Sequence, residues 1–281
     1  MTTLTTARDV ATAAKWTSLR NIRVVINVQW QRPLGNETES VAIVGSGNNW
    51  GDVLRAAAAV GRTLVTGQDR TVGVEGLLGG GGHGPLSSHY GLAADQVLQA
   101  TVVTTEGRVP IPNEAQNQDL LWAICGGGPG LYGIVTDSQD EGGNSRLIFG
   151  LQSGLGPKRV EAVMRGALNP AWRNAYVYLI ATGVTVSTTD TTPQDALATA
   201  ALWAEENKEA VWRRWAPDPG AYINEANPFN GNFRKDFYGG NYDRLLEIKQ
   251  KYDPTASLHI QSGMGSHLWD YNLNSGKLCR K

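Results

Sequence analysis

The chain has 281 residues, of which 41% are hydrophobic and 18% charged, a balance typical of a soluble globular protein with one large or two smaller domains. A formal net charge of −1 leaves no basic excess, so the composition argues against a nucleic-acid or membrane-surface partner. Two cysteines and four histidines show no metal-ligand spacing, and no apolar run reaches about 18 residues, so we expect neither a metal site nor a membrane span.

The first half of the chain alternates predicted helices with short predicted strands. Residues 1–16 lack a basic stretch followed by an apolar core, which predicts no signal peptide and, by default, a cytoplasmic protein. In chain order we predict a helix over 8–19, strands over 23–28 and 40–44, a helix over 53–60 that Gly61 ends, and a short strand over 63–66.

A glycine-rich segment, residues 67–91, follows these elements. Nine of its positions are glycine, and Gly79 to Gly82 are consecutive. Because glycine loses the most backbone entropy on folding, we expect neither a stable helix nor an ordinary strand there. The alternative is a flexible surface linker, but the apolar residues of the segment favour burial. We therefore predict a loop whose bare N–H groups form an anion-binding concavity.

A polar, turn-rich stretch near the middle of the chain predicts a domain boundary near 137–146. Before this stretch we predict a strand over 96–105, a helix over 117–124 capped by Asn117, and a strand over 132–136. After it we predict a helix around 160–168, a strand over 175–186, a long helix over 193–215, an irregular connector over 216–231 and a last helix over 245–252.

The run from Gly126 to Gly133 does not fit a Rossmann dinucleotide fingerprint. No long crossover helix follows Gly130, and no acidic residue stands in the right context about 20 residues further on. We expect this loop to approach a ligand by its backbone.

Three side chains are the acid–base candidates, namely His83, Glu225 and Tyr178. His83 flanks the glycine run, and Glu225 is an isolated acid in an aromatic connector, where a capping or solvated carboxylate is the alternative. Tyr178 alternates with Val177 and Tyr176 on the predicted strand, where a packed sheet face is the alternative.

Taken together, several segments resemble the FAD-linked oxidases with a PCMH-type flavin domain, the berberine-bridge-enzyme-like group, and especially its fungal secondary-metabolism members. The matching segments are TVGVEGLLGGGGHGPLSSHYGLAADQVL at 71–98, VVTTEGRV at 102–109, DLLWAICGGGPGLYGIVT at 119–136, YINEA at 222–226 and YGGNYDRLLEIKQKYDP at 238–254. The resemblance implies an α+β fold, with a PCMH-type FAD-binding domain over 1–139, a shortened α+β substrate domain over 140–230 and a C-terminal segment over 231–281 that returns to the first domain.

The resemblance also implies FAD as the cofactor and a small secondary metabolite as the substrate. Glycine backbone would approach the FAD pyrophosphate and donate N–H groups to it. The implied cofactor-binding residues are Thr71, Gly73, Gly76, Gly80, Gly81, Leu86, Gly133, Ile134, Asn241 and Tyr242.

The chain departs from the family pattern at several places. Many relatives attach FAD covalently through a His in a Gly-His pair, but residues 27–36 read NVQWQRPLGN, so we expect dissociable FAD. We also expect the family's first strands to precede Met1. Beside an oxidoreductase that passes hydride to flavin and electrons to O₂, two alternatives stay open: a non-redox isomerase or cyclase on the same scaffold, and an inactive truncated remnant.

Overall fold

The computed structural model describes residues 24–136, 147–150, 166–181, 186–187 and 189–281. The polar stretch over 137–146 and the helix predicted over 8–19 lie outside these residues. So do residues 160–165 of the helix predicted around 160–168. The described strands are β1 (Val24–Gln31), β2 (Thr38–Val44), β3 (Val97–Gln99), β4 (Val102–Val103), β5 (Ile134–Val135), β6 (Leu147–Gly150), β7 (Trp269–Asn272) and β8 (Lys277–Arg280).

The described α-helices lie between these strands and after them. They are α1 (Trp50–Ala58), α2 (Val74–Gly80), α3 (Ser87–Tyr90), α4 (Gln118–Ile124), α5 (Pro193–Ala204), α6 (Ala210–Trp215) and α7 (Tyr242–Tyr252). A π-helical stretch, Glu205–Glu209, joins α5 to α6, and another, Arg234–Tyr238, precedes α7. Within the described part of the chain, no helix is long and apolar enough to span a membrane.

The main sheet has four antiparallel strands in the order β1-β2-β6-β3. In β2, Val41 pairs with Gly150 and Val44 pairs with Leu147. Two-stranded sheets form from β4 with β5 and from β7 with β8. This mixture of helices and antiparallel sheets confirms the predicted α+β class.

One apolar core lies between the main sheet and the helices around it. Trp50 and Val53, one turn apart on α1, are fully buried, and the Trp50 ring meets the Phe149 ring edge-on at 5.8 Å. Burial of large side chains such as these contributes about 1.5–3 kcal/mol each to the free energy of unfolding. The core therefore joins α1 to β6, two elements that lie far apart in the sequence.

The glycine-rich segment contains two helices, α2 and α3, so the expectation of a loop without helix is wrong for residues 74–80 and 87–90. Helix α2 forms despite its glycine content because Gly79 packs closely against other backbone. A Cβ added at Gly79 would lie 2.5 Å from the Cα of Pro129, and the carbonyl of Gly79 accepts the N–H of Gly128 at 2.9 Å. Tertiary contacts that only glycine allows therefore offset its low helix propensity.

Several other predicted elements differ in detail. The strand predicted over 96–105 is broken into β3 and β4, and residues 175–181 form irregular structure instead of a strand. Residues 63–66 contain no regular strand. Helix α4 begins where predicted, but Asn117 has the left-handed φ of 48° and its side chain makes no capping hydrogen bond. The long helix over 193–215 and the last helix are confirmed.

The C-terminal helix α7 is tied to the loop that follows α4. Lys249 of α7 is buried and donates hydrogen bonds of 2.7 Å to the carbonyls of Leu131 and Leu258, and it also pairs with Asp253. Tyr132 in the same loop donates its hydroxyl hydrogen to the carbonyl of Gly127 at 2.8 Å. The bond from Lys249 to Leu131 therefore fixes α7 on the loop that follows α4.

Candidate functional site

The three predicted acid–base residues lie together. The hydroxyl of Tyr178 donates a hydrogen bond of 2.5 Å to Oε2 of Glu225, and Nε2 of His83 lies 3.3 Å from the same oxygen. The three residues come from the irregular segment 175–181, from the connector over 216–231 and from the end of the glycine run. Their roles stay predictions, but their contact makes one cluster of a phenol, a carboxylate and an imidazole.

Aromatic rings surround the imidazole of this cluster. The His83 ring stacks on Trp172 at 5.8 Å between centroids, meets Tyr222 edge-on at 4.9 Å and lies 4.8 Å from Tyr178. Aromatic pairs at these distances are attractive, so the rings hold His83 against Glu225. The cluster is partly open to solvent, since 28% of the His83 side chain and 36% of the Glu225 side chain are exposed.

The phenols near Glu225 keep their protons. Burial, the hydrogen bond to Glu225 and the charge of Glu225 together raise the pKa of Tyr178 far above its ordinary value. Burial likewise raises the pKa of Tyr222 to about 12. Because a neutral phenol donates its hydrogen and a carboxylate oxygen accepts one, Tyr178 is the hydrogen-bond donor of this pair and Glu225 is the hydrogen-bond acceptor.

Two cavities lie beside Tyr178. One has a volume of about 690 Å³ and is lined by Trp172, Tyr178, Gly239 and Gly240 among others. The second has a volume of about 270 Å³ and is lined by Tyr178, Glu225 and Trp212 among others. A small molecule in the second cavity would therefore have the carboxylate of Glu225 in its wall.

Three glycines offer open backbone near the start of α2. A Cβ added at Gly73, Gly76 or Gly130 would meet no atom within 4 Å. Glu75 lies beside them and accepts the N–H of Gly130, while burial raises the pKa of its carboxyl. The absence of a side chain at these three glycines allows a cofactor to approach the backbone closely, so the glycines fit the main-chain contact that an FAD pyrophosphate needs.

The end of the glycine run is packed by the protein itself. A Cβ at Gly80 would lie 2.5 Å from Nδ2 of Asn224, and a Cβ at Gly81 would lie 2.8 Å from the side chain of Leu168. Leu86 packs against the core. Within the glycine-rich segment, the open backbone thus lies at Gly73 and Gly76, and cofactor contact by Gly80, Gly81 and Leu86 stays a prediction.

The remaining predicted cofactor residues lie in different surroundings. Thr71 is exposed and its N–H and hydroxyl both bond Asp69. Ile134 is 61% exposed on β5, whereas a Cβ at Gly133 would lie 2.4 Å from the side chain of Val102. Cofactor contact by Thr71, Gly133 and Ile134 stays a prediction.

The two C-terminal residues predicted to bind the cofactor have protein partners. Asn241 donates to the carbonyls of Ala167 and Leu168 at 3.0 and 3.1 Å. Tyr242 is buried, and its hydroxyl lies 2.9 Å from Nδ1 of His267. Their role toward the cofactor stays a prediction.

Sequence reasoning missed Trp172 and Asn224 as parts of the site, whereas Gly130 lies in the loop over 126–133 that we expected to approach a ligand by its backbone. Asn169 accepts the N–H of Ala171 and so caps the short helix Pro170–Arg173, on which Trp172 lies. The Asn-Pro pair before Trp172 is a local signal for that helix start, but no local signal places its ring on His83.

Two parts of the chain match models of known protein families. A family model described as FAD binding domain matches residues 4–110, and a model described as berberine and berberine like matches residues 221–263. The first segment contains His83 and the glycine-rich helix, and the second contains Glu225. The contact between His83 and Glu225 therefore joins the two matched segments.

Curated relatives include fungal flavoproteins. The chain is similar to the VAO-type flavoprotein oxidase VAO615 of Thermothelomyces thermophilus, with 22% identity over 99% of this chain and 77% of the relative. That alignment runs over 448 positions, so the relative has long segments without a counterpart in the 281 residues here. It is also similar to aurantioclavine synthase cnsA of Penicillium expansum, with 30% identity over 80% of this chain and 61% of the relative.

Solved structures show the same fold. The crystal structure of the VAO-type flavoprotein MtVAO615 from Myceliophthora thermophila C1 superposes with a TM-score of 0.71 at 23% identity, covering 99% of this chain and 81% of that chain. The VAO-type flavoprotein MtVAO713 gives the same TM-score at 17% identity. At such identities the likeness shows the fold alone.

Proposed function

The chain belongs to the FAD-linked oxidoreductases that join an FAD-binding domain to a berberine-like segment, and from this premise we propose that it binds FAD without a covalent bond and oxidises a small metabolite. The observation that carries this proposal is the contact of Glu225 with Tyr178 and His83 at the end of the glycine run. It supplies a proton acceptor next to the segment that the family uses for FAD.

Oxidation of an alcohol or amine carbon removes a hydride from the carbon and a proton from the attached O–H or N–H group, and leaves a C=O or C=N bond. The chemistry that bound FAD supplies is acceptance of this hydride, with O₂ proposed as the final electron acceptor. Glu225 takes up the proton as general base. The Tyr178 hydroxyl donates a hydrogen bond to the Glu225 carboxylate and holds it in place. His83 contacts the same carboxylate oxygen through Nε2.

Backbone at Gly73, Gly76 and Gly130 would hold the cofactor, since no protein atom lies within 4 Å of the position that a side chain would take at these glycines. We propose dissociable FAD because the stretch 27–36, which contains most of the turn after β1, has no histidine. A small-molecule substrate in the cavity beside Glu225 is the partner that this proposal requires.

The first test is acid precipitation of the purified protein. We expect the yellow colour in the supernatant, which indicates dissociable flavin. Colour in the pellet would contradict the non-covalent attachment, and a colourless protein that also fails to take up added FAD would support the inactive remnant instead.

The second test is mixing the FAD-loaded protein anaerobically with small alcohols, amines and sugars. We expect at least one of these compounds to bleach the flavin absorbance, and admission of air to restore it. A protein that binds FAD but is bleached by none of them would count against the oxidase. Turnover that persists without flavin would favour the isomerase or cyclase, which the names of the relatives do not favour.

A further inference from the structure

The connector that carries Glu225 is held on the end of α2 by two side chains. Tyr222 donates its hydroxyl hydrogen to the carbonyl of Leu77 at 3.0 Å, and Asn224 donates through Nδ2 to the carbonyl of Gly76 at 2.8 Å. The same Nδ2 lies 3.0 Å from the Tyr222 hydroxyl. Because the last four carbonyls of a helix lack intrahelical donors, the bond from Tyr222 to Leu77 satisfies one of them.

The close approach of this connector depends on Gly80. A Cβ at Gly80 would lie 2.5 Å from Nδ2 of Asn224 and 2.8 Å from Cε2 of Tyr222, closer than real Cβ contacts. The glycine therefore opens the side of α2 on which both side chains rest. Close packing against Tyr222 and Asn224 therefore explains why residue 80 is a glycine although its backbone does not face solvent.

The position of Glu225 follows from that of its neighbour. The N–H of Glu225 donates to the carbonyl of Tyr222 at 2.9 Å and closes a turn around Asn224. We infer that Asn224 is a positioning residue, which fixes the Glu225 carboxylate against Tyr178 and relative to α2. This inference rests on the proposed function, in which Glu225 accepts the substrate proton.

The structural test needs no turnover. A 3-fluorotyrosine at position 178 reports its hydrogen bond to Glu225 through its ¹⁹F resonance. We expect Asn224→Ala and the near-isosteric Asn224→Leu to move this resonance toward its position in Glu225→Gln. Without the Asn224 amide, the Glu225 carboxylate is no longer held against the Tyr178 hydroxyl. Asn232→Ala, in an exposed asparagine just after the connector, is the control and should leave the resonance unchanged. Resonances that stay at the wild-type position in both Asn224 variants would overturn the inference.

The kinetic test uses the FAD-loaded protein. We expect Asn224→Ala to lower kcat by about 10-fold to 100-fold with little change in KM, as for a displaced catalytic group. In the Glu225→Gln background the same change should have no further effect on kcat. A merely structural role of Asn224 would instead lower kcat by the same factor in both backgrounds. If Glu225→Gln itself leaves turnover unchanged, the proposed function fails, and the resonance test still decides whether Asn224 positions Glu225.

Discussion

The hydroxyl of Tyr178 donates a 2.5 Å hydrogen bond to the Glu225 carboxylate across 47 positions of sequence. A hydrogen bond to an ionised carboxylate is stronger than one between neutral groups. The pair therefore orients the carboxylate while its phenol stays neutral. The proposed chemistry depends on Glu225 as the proton acceptor.

Replacement of Glu225 by glutamine should remove the general base and keep the shape of the side chain. We expect Glu225→Gln to lower turnover by about 10²-fold to 10⁴-fold, the contribution typical of general acid–base catalysis. The measurement is kcat at saturating substrate together with the flavin content of each preparation. Glu206→Gln, in an exposed glutamate of the π-helical stretch, is the control. Equal turnover in Glu225→Gln and wild type would exclude Glu225 as the base.

The two glycines of α2 that differ in surroundings allow a matched comparison. Gly79→Ala places a Cβ 2.5 Å from the Cα of Pro129, so we expect it to lower the free energy of unfolding by about 1–3 kcal/mol. Gly76→Ala has no atom within 4 Å and should raise it by about 0.5–1 kcal/mol. Urea unfolding of the FAD-free proteins measures both.

The same Gly76→Ala protein tests the cofactor surface. If backbone at Gly76 contacts FAD, the added methyl should weaken FAD binding by about tenfold, equivalent to about 1.4 kcal/mol, although the fold is no less stable. Titration with FAD, followed by flavin fluorescence, measures this affinity. An unchanged affinity would place the cofactor elsewhere on the surface.

The fold class follows from the family resemblance and the importance of the glycine segment from its composition, but the packing of that segment follows from neither. Glycine propensity predicts no helix over 74–80, whereas the contact of Gly79 with Pro129 stabilises one. The separate residues of the acid–base cluster are identifiable from their local context, since His83 flanks the glycine run and Glu225 is an isolated acid in an aromatic connector. The contact of His83 with Glu225 joins positions 142 residues apart, and no periodicity in a single sequence encodes that distance.

Alkaline pH should destabilise the protein through its buried phenols. Burial raises the pKa of Tyr132 and of Tyr238 above the ordinary value. Above about pH 10 the unfolded chain loses these protons while the native chain keeps them, so the unfolded state binds fewer protons. The free energy of unfolding therefore falls with rising pH, by about 1.4 kcal/mol per pH unit for each phenol.

Urea unfolding at pH 9, 10 and 11 measures this slope. Tyr132→Phe should flatten it by the contribution of one proton, and the comparison at matched pH cancels the contributions of the lysines. A slope that is the same in Tyr132→Phe and wild type would show that this phenol ionises equally in both states.

The buried pair of Lys249 and Asp253 should be strongly coupled. Burial lowers the pKa of Lys249, and although burial alone would raise the pKa of Asp253, the bonds from Lys249 and from backbone N–H groups lower it. Asp253→Ala leaves a buried ammonium without its counter-charge, so we expect a loss of about 3–5 kcal/mol in the free energy of unfolding. The double variant Lys249→Met with Asp253→Ala removes both charges and should lose less than the sum of the two single variants. Additive losses in a urea double-mutant cycle would show that the two charges do not interact, and that the carbonyls of Leu131 and Leu258 alone hold Lys249 in place.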